Sequence, residues 1–134
     1  MIFLDTSYLV AFANELDVLH ARAVLLAHDI DSGKYGSLAL SDYVFGETAS
    51  IALMRTKNLE KTVGFLRKIR NTATLLRTDG TAFDETVKAF EDQKDASLSF
   101  VDCNIIVLCR SNGINFLATF DAKLKTLSRL KIVD

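Results

Sequence analysis

Proline is missing altogether, and only six glycines are spread over the 134 residues. The two residue types that dominate turns and linkers are thus absent or scarce. That leaves no room for a flexible linker or a low-complexity tail, and no internal repeat is visible. A single domain spanning 1–134 is expected, with 49% hydrophobic residues supplying one core. No uninterrupted apolar run approaches the length of a membrane span. The first residues, MIFLDTSYLVAF, are apolar but carry an Asp and no basic segment, which argues against a signal peptide. A soluble, cytoplasmic protein is expected. Cysteine is scarce as well. Cys103 and Cys109 lie on one expected helix, about 120° apart around its axis, an arrangement wrong for a disulfide or a shared metal and in keeping with reduced, buried thiols.

Chemical signatures are missing too. There is no GxxxxGK[ST] phosphate loop, no GxGxxG and no GxSxG elbow, and no Cys with a His placed by sequence to activate it.

What is present is an alternation of elements. MIFLD reads as a buried strand, after which Asp5-Thr6-Ser7 opens a helix. A second helix is expected over 17–30, ending near Asp31-Ser32-Gly33. YGSLAL is the next strand, Ser41 or Asp42 caps a helix running to about Arg55, and Asn58 caps another to about Arg70. ATLLR is a strand, followed by helices near 81–93 and 100–112 with Gly113 as a stop signal. INFLAT, a short helix over DAKLKTL and the strand RLKIV complete the chain. Strands alternating with helices predict an α/β fold: a three-layer α/β/α sandwich around a central, mainly parallel five-stranded sheet.

Four acids stand out. On the helix DYVFGETASIALM, Tyr43, Glu47, Ile51 and Met54 share a face, so Glu47 interrupts an apolar stripe. Asp102 repeats the anomaly near the start of its helix, in line with Ile105, Ile106 and Cys109, while Asn104 and Ser111 mark the opposite side. Asp5 closes the first strand, and Asp121 follows INFLAT by two residues. Ligands gather at the carboxyl ends of strands in an open parallel sheet, and all four acids can converge there. Each also has a plainer role: Asp5 and Asp121 as N-caps, Asp102 as a first-turn acid, Glu47 as half of an ion pair with an Arg.

If the four meet, charge limits what the pocket is for. Two unit charges 4 Å apart repel by about 4 kcal/mol at an effective dielectric of 20. Either some carboxylates are protonated or a divalent cation neutralises them. All-oxygen ligands favour Mg²⁺ or Mn²⁺ over zinc, and His20 and His28 are not needed. Such a site activates water and stabilises phosphoryl displacement.

MIFLDTSYLVAF, SDYVFGETASIAL, LSFVDCNIIVLC and FLATFDAKLKTL, in this order and spacing, resemble the PIN-domain nucleases, and among them the small VapC-like toxins of toxin–antitoxin pairs. The resemblance implies a Mg²⁺- or Mn²⁺-dependent endoribonuclease with Asp5, Glu47, Asp102 and Asp121 as catalytic and metal-binding acids. Thr6, Ser7 and Thr119 would be supporting hydroxyls. It further implies a cut leaving 5′-phosphate and 3′-hydroxyl ends, a homodimer, and an antitoxin whose arm enters the groove.

The net charge is −1, so RNA affinity must come from a local basic surface. Residues 55 to 77 hold seven basic side chains against one acid, while 79 to 102 hold seven acids against two lysines. Arg55, Lys57 and Lys61, just after the Glu47 helix, are the expected RNA contacts, although a basic helix face is also simply a solvated one. Two other readings fit an acid at a strand end. A phospho-acceptor domain would want adjacent acids with a late Lys, or Asp-x-Asp, where this chain has Asp-Thr-Ser. A catalytically inactive module of the same fold would keep the acids without the activity.

Overall fold

The computed structural model describes residues 1–134. The segments most apolar on both sides form the middle of the sheet. Strand β1 (Ile2–Leu4) is buried at every residue and lies between β2 (Leu38–Ser41) and β4 (Phe116–Ala118), with β3 (Ala73–Leu76) and β5 (Lys131–Val133) at the edges. The order is β3-β2-β1-β4-β5, every neighbouring pair is parallel, and Ile2 stands opposite both Leu38 and Phe116. A central parallel strand must be apolar on both faces because helices cover both.

Seven helices fill the connections: α1 (Thr6–Ala13), α2 (His20–Asp31), α3 (Asp42–Thr56), α4 (Leu59–Thr72), α5 (Gly80–Glu91), α6 (Phe100–Ser111) and α7 (Ala122–Leu127). The chain steps one way from β1 to β3, then crosses back to β4 and β5. Right-handed crossovers assign helices of opposite steps to opposite faces of a sheet. Accordingly α1 packs on α2 and α3, α3 on α4, and α5 on α6, while α3 and α6 also touch. Phe3, Leu40, Ile105 and Leu117 are fully enclosed at the centre of the core. No helix is long and apolar enough to cross a membrane.

Local chemistry sets the boundaries. Asp5, Ser41, Asn58, Asp79, Ser99 and Asp121 each accept a backbone N–H of the first turn of the helix they precede, satisfying donors that the helix cannot. Gly113, at φ +63°, follows α6 and lets the chain leave in a left-handed conformation. Helix α2 alone lacks a side-chain cap and begins at His20, three residues later than expected. Asp17 instead closes a turn by accepting the Leu19 N–H at 2.9 Å.

Two helical faces differ from expectation. The buried line of α3 is Val44, Thr48 and Ala52, one residue on from the stripe through Tyr43, Glu47, Ile51 and Met54. One residue is about 100° of rotation, so that stripe flanks the core; Met54 is 68% exposed. On α6, Asn104 does not mark a solvent side but is completely buried. Its Nδ2 donates to the hydroxyls of Thr78 (3.1 Å) and Thr86 (3.3 Å), so a polar residue is absorbed where α6 meets α5 and the loop after β3. Its Oδ1 and the Thr48 hydroxyl have no partner.

Because both hydroxyls keep other partners, Asp42 for Thr78 and the Ala82 carbonyl for Thr86, Asn104→Leu should cost only about 1–2 kcal/mol. Leu117→Ala, which opens a cavity in the central sheet, should cost about 2–5 kcal/mol. Urea unfolding midpoints at constant slope would rank the two.

Candidate active site

The chain reverses its direction of travel across the sheet between β1 and β4, and the crevice beyond the carboxyl ends of two such strands is where α/β folds bind ligands. The Asp5 N–H donates to the Ala118 carbonyl at 3.0 Å, locking the two strand ends together. Asp5 is 4% exposed. Its Oδ2 accepts three hydrogen bonds: from the Ser7 hydroxyl (2.5 Å), the Thr119 hydroxyl (2.7 Å) and the Ser7 N–H (3.2 Å). Burial nevertheless pushes its pKa above the ordinary carboxylate value, outweighing these donors.

The other three acids are held differently. Glu47 Oε2 accepts the Thr6 hydroxyl at 2.6 Å where α1 packs on α3. Asp102 and Ser99 form a reciprocal capping box: the Ser99 N–H donates to Asp102 Oδ2 at 2.7 Å, and the Asp102 N–H to the Ser99 hydroxyl at 3.1 Å. Asp121 Oδ1 accepts the N–H groups of Lys123 and Leu124 as the cap of α7. Thr119 joins two of the acids, donating to Asp5 and accepting the Asp121 N–H at 3.0 Å. Ser7 accepts the Phe120 N–H at 2.9 Å. The plainer roles of these residues, as caps and turn formers, are therefore real ones.

They also meet. Asp5, Glu47, Asp102 and Asp121 line a single cleft of about 510 Å³, together with Thr6 and Ser7. In each carboxylate the hydrogen bonds fall on one oxygen: Oδ2 of Asp5 and Asp102, Oε2 of Glu47, Oδ1 of Asp121. No well-formed hydrogen bond reaches the second oxygen of any of them, and none of the four is among the buried atoms without a partner.

This donor set suits a hard, oxygen-seeking divalent cation. The expectation of a tight cluster needs correction, however. No three Asp, Glu, His or Cys side chains stand close enough together to form a ready cage for a metal. The cause is local: Asp102 and Asp121 are drawn back to their own helix termini, and Glu47 toward Thr6. His20, whose Nδ1 lies 2.9 Å from the Ala11 carbonyl, and the exposed His28 do not line the cleft. Both cysteines are buried and unbridged, and burial pushes the Cys109 thiol up to about 12.

The basic residues are distributed unlike the expectation. Arg55 lines the cleft but is paired with Asp17 at 2.9 Å. Lys61 is paired with Glu15 at 2.8 Å, and neither Lys61 nor Lys57 reaches the cleft. Lys123, unpaired and two residues beyond Asp121, does line it. Apart from its closeness to Asp121, nothing in the sequence singles out Lys123. The Arg55–Asp17 and Lys61–Glu15 pairs join residues 38 and 46 apart, and no local pattern announces them.

The chain belongs to the PIN domain family, whose model matches residues 2–130. In fold it is similar to Mycobacterium tuberculosis VapC20, a toxin that cleaves the sarcin-ricin loop, at 23% identity and a TM-score of 0.83, over 94% of each chain. It is also similar to PAE2754 from Pyrobaculum aerophilum, at 18% identity and a TM-score of 0.67, over 98% of this chain and 88% of that one. Among curated protein sequences none matches.

Ionising Asp5 costs native stability. Below the unfolded carboxyl pKa both states are protonated and nothing is lost. As pH rises through the raised native value the loss develops, and above it the loss is complete. Because all three donors converge on Oδ2, one amide oxygen can replace it. Asp5→Asn in metal-free buffer should therefore melt a few degrees above the parent at pH 7, and the gap should close as pH approaches 4. Calorimetric scans across that range would measure it.

Proposed function

We infer that this PIN domain, spanning 1–134, is a divalent-metal-dependent endoribonuclease acting as the toxin of a toxin–antitoxin pair. The observation that carries the inference is the cleft itself: four carboxylates from distant parts of the chain, each with one oxygen fixed by the scaffold and one left free. Family membership and the fold shared with VapC20 support it.

The free oxygens of Asp5, Glu47, Asp102 and Asp121 would hold Mg²⁺ or Mn²⁺. When bound, such an ion supplies an activated water at neutral pH and neutralises charge developing on the phosphate. The protein's own residues do the rest. Ser7 and Thr119 fix the rotamer of Asp5, and Thr6 that of Glu47, so these two acids present their oxygens without a search over side-chain conformers. The capping box that holds Asp102 and the N-cap bonds that hold Asp121 fix these two acids at the same cleft. Lys123 at the rim offers a cation for a phosphate oxygen.

On this basis the substrate is RNA, cut to 5′-phosphate and 3′-hydroxyl ends in the cytoplasm. The partners are a second copy of the chain and an antitoxin whose arm fills the cleft. The sarcin-ricin loop named for VapC20 is one structured target to assay.

Incubation of RNA with the protein should give cleavage that requires Mg²⁺ or Mn²⁺ and stops on adding EDTA. Asp102→Asn keeps an oxygen for the Ser99 N–H, so it should fold normally yet lose about 10²–10³-fold in rate. Undiminished cleavage by a folded Asp102→Asn protein would refute its role. Calorimetric titration showing no heat at millimolar Mg²⁺ would favour an inert binding module.

A further inference from the structure

A second cavity, of about 530 Å³, adjoins the catalytic cleft and shares Ser97, Ser99 and Lys123 with it. Its far side carries Phe90 and Lys94. Neither lysine is in an ion pair, in contrast to Arg55 and Lys61 at the other end of the cleft. Asp95 is the one acid on this wall.

Phe90 is unusual for a surface residue. It is 45% exposed, yet its ring is braced edge-on by Phe100 at 5.8 Å, and Phe100 is in turn packed against Tyr43 and Phe83. The loop that closes the cavity is pinned as well. Gln93 donates from Nε2 to the Phe90 and Leu98 carbonyls and accepts the Leu98 N–H at 2.8 Å. An aromatic face held in place beside two free cations, one step from the carboxylates, has the composition of a site for one nucleotide: the ring stacks on a base and the lysines meet phosphate.

Resting on the nuclease reading above, we propose that this cavity is a nucleotide subsite for the residue flanking the scissile phosphate. Phe90 stacks the base, and Lys94 and Lys123 hold the backbone. A base can reach Phe90 only when it has left its helix, so the subsite selects RNA that is unpaired at that position: a single strand or a loop rather than a continuous duplex. Stacking is tolerant of base identity, so the subsite reads strandedness and not sequence.

The test uses the full chain with a fluorescent single-stranded oligoribonucleotide. Binding is measured by anisotropy in EDTA and KM in Mn²⁺. Phe90→Ala should weaken binding and raise KM by roughly 5- to 150-fold, with Phe90→Trp restoring both. Lys94→Ala should weaken binding and flatten the salt dependence by about 0.7 in the log–log slope. Lys34→Ala, beside Tyr35 in the turn before β2, should match the parent. Circular dichroism checks that Phe90→Ala folds, and the exposed Lys94 decides the matter independently if it does not. Unchanged binding and KM in the folded Phe90 and Lys94 variants overturn the subsite while leaving the nuclease intact. So does equal cleavage of the same sequence as a perfect duplex. A parent protein that cuts no RNA in either metal overturns the nuclease reading itself, and the subsite with it.

Discussion

The carboxylate of Asp5 holds together parts of the chain that have nothing else in common. It ends β1, caps α1, and through Thr119 ties the carboxyl end of β1 to that of β4, 114 residues away. Burial there is unfavourable for a charge, and three donors on a single oxygen only partly offset it. A fold selected for stability alone would place an amide or an apolar side chain at this position. Retaining the acid makes its ionisation costly at the crevice between β1 and β4, and Glu47, Asp102 and Asp121 line the same cleft.

The scaffold meets a conflict between local and shared chemistry. Each acid serves its own helix: Asp102 in a capping box, Asp121 as an N-cap, Glu47 through Thr6. These bonds orient the side chains but also keep them apart, so no three form a cage. Only one oxygen of each is engaged by these bonds, so the second oxygen of every acid is left without a hydrogen bond.

Much of this was legible in the sequence because it follows from short-range rules. Alternating strands and helices predict the layered parallel sheet, and Ser41, Asn58 and Gly113 mark helix ends where the structure has them. Glu47 and Asp102 stand out as carboxylates in apolar stripes, Asp5 and Asp121 by their places at strand ends. Less legible was anything set by which face a helix presents. Asn104 reads as solvent-facing because it is polar, yet Thr78 and Thr86 reach it from other elements. The apolar stripe through Met54 misplaces the buried side of α3 by one residue, since Thr48 is enclosed and Met54 is not. Charge density in 55–77 suggests an RNA surface around Arg55, Lys57 and Lys61, but Asp17 and Glu15, distant in sequence, pair with Arg55 and Lys61. The strand order and the braced Phe90 likewise depend on long-range packing that no window of sequence contains.

The placement of β4 beside β1 also governs when the centre can exist. A chain emerging from the ribosome can build β1, β2, β3 and the helices between them, with Asp5, Glu47 and Asp102 already translated, yet the neighbour that supplies Thr119 and Asp121 is still missing. Only the last strands to be synthesised close the constellation. Nascent chains therefore lack the complete four-acid cleft until synthesis is nearly done.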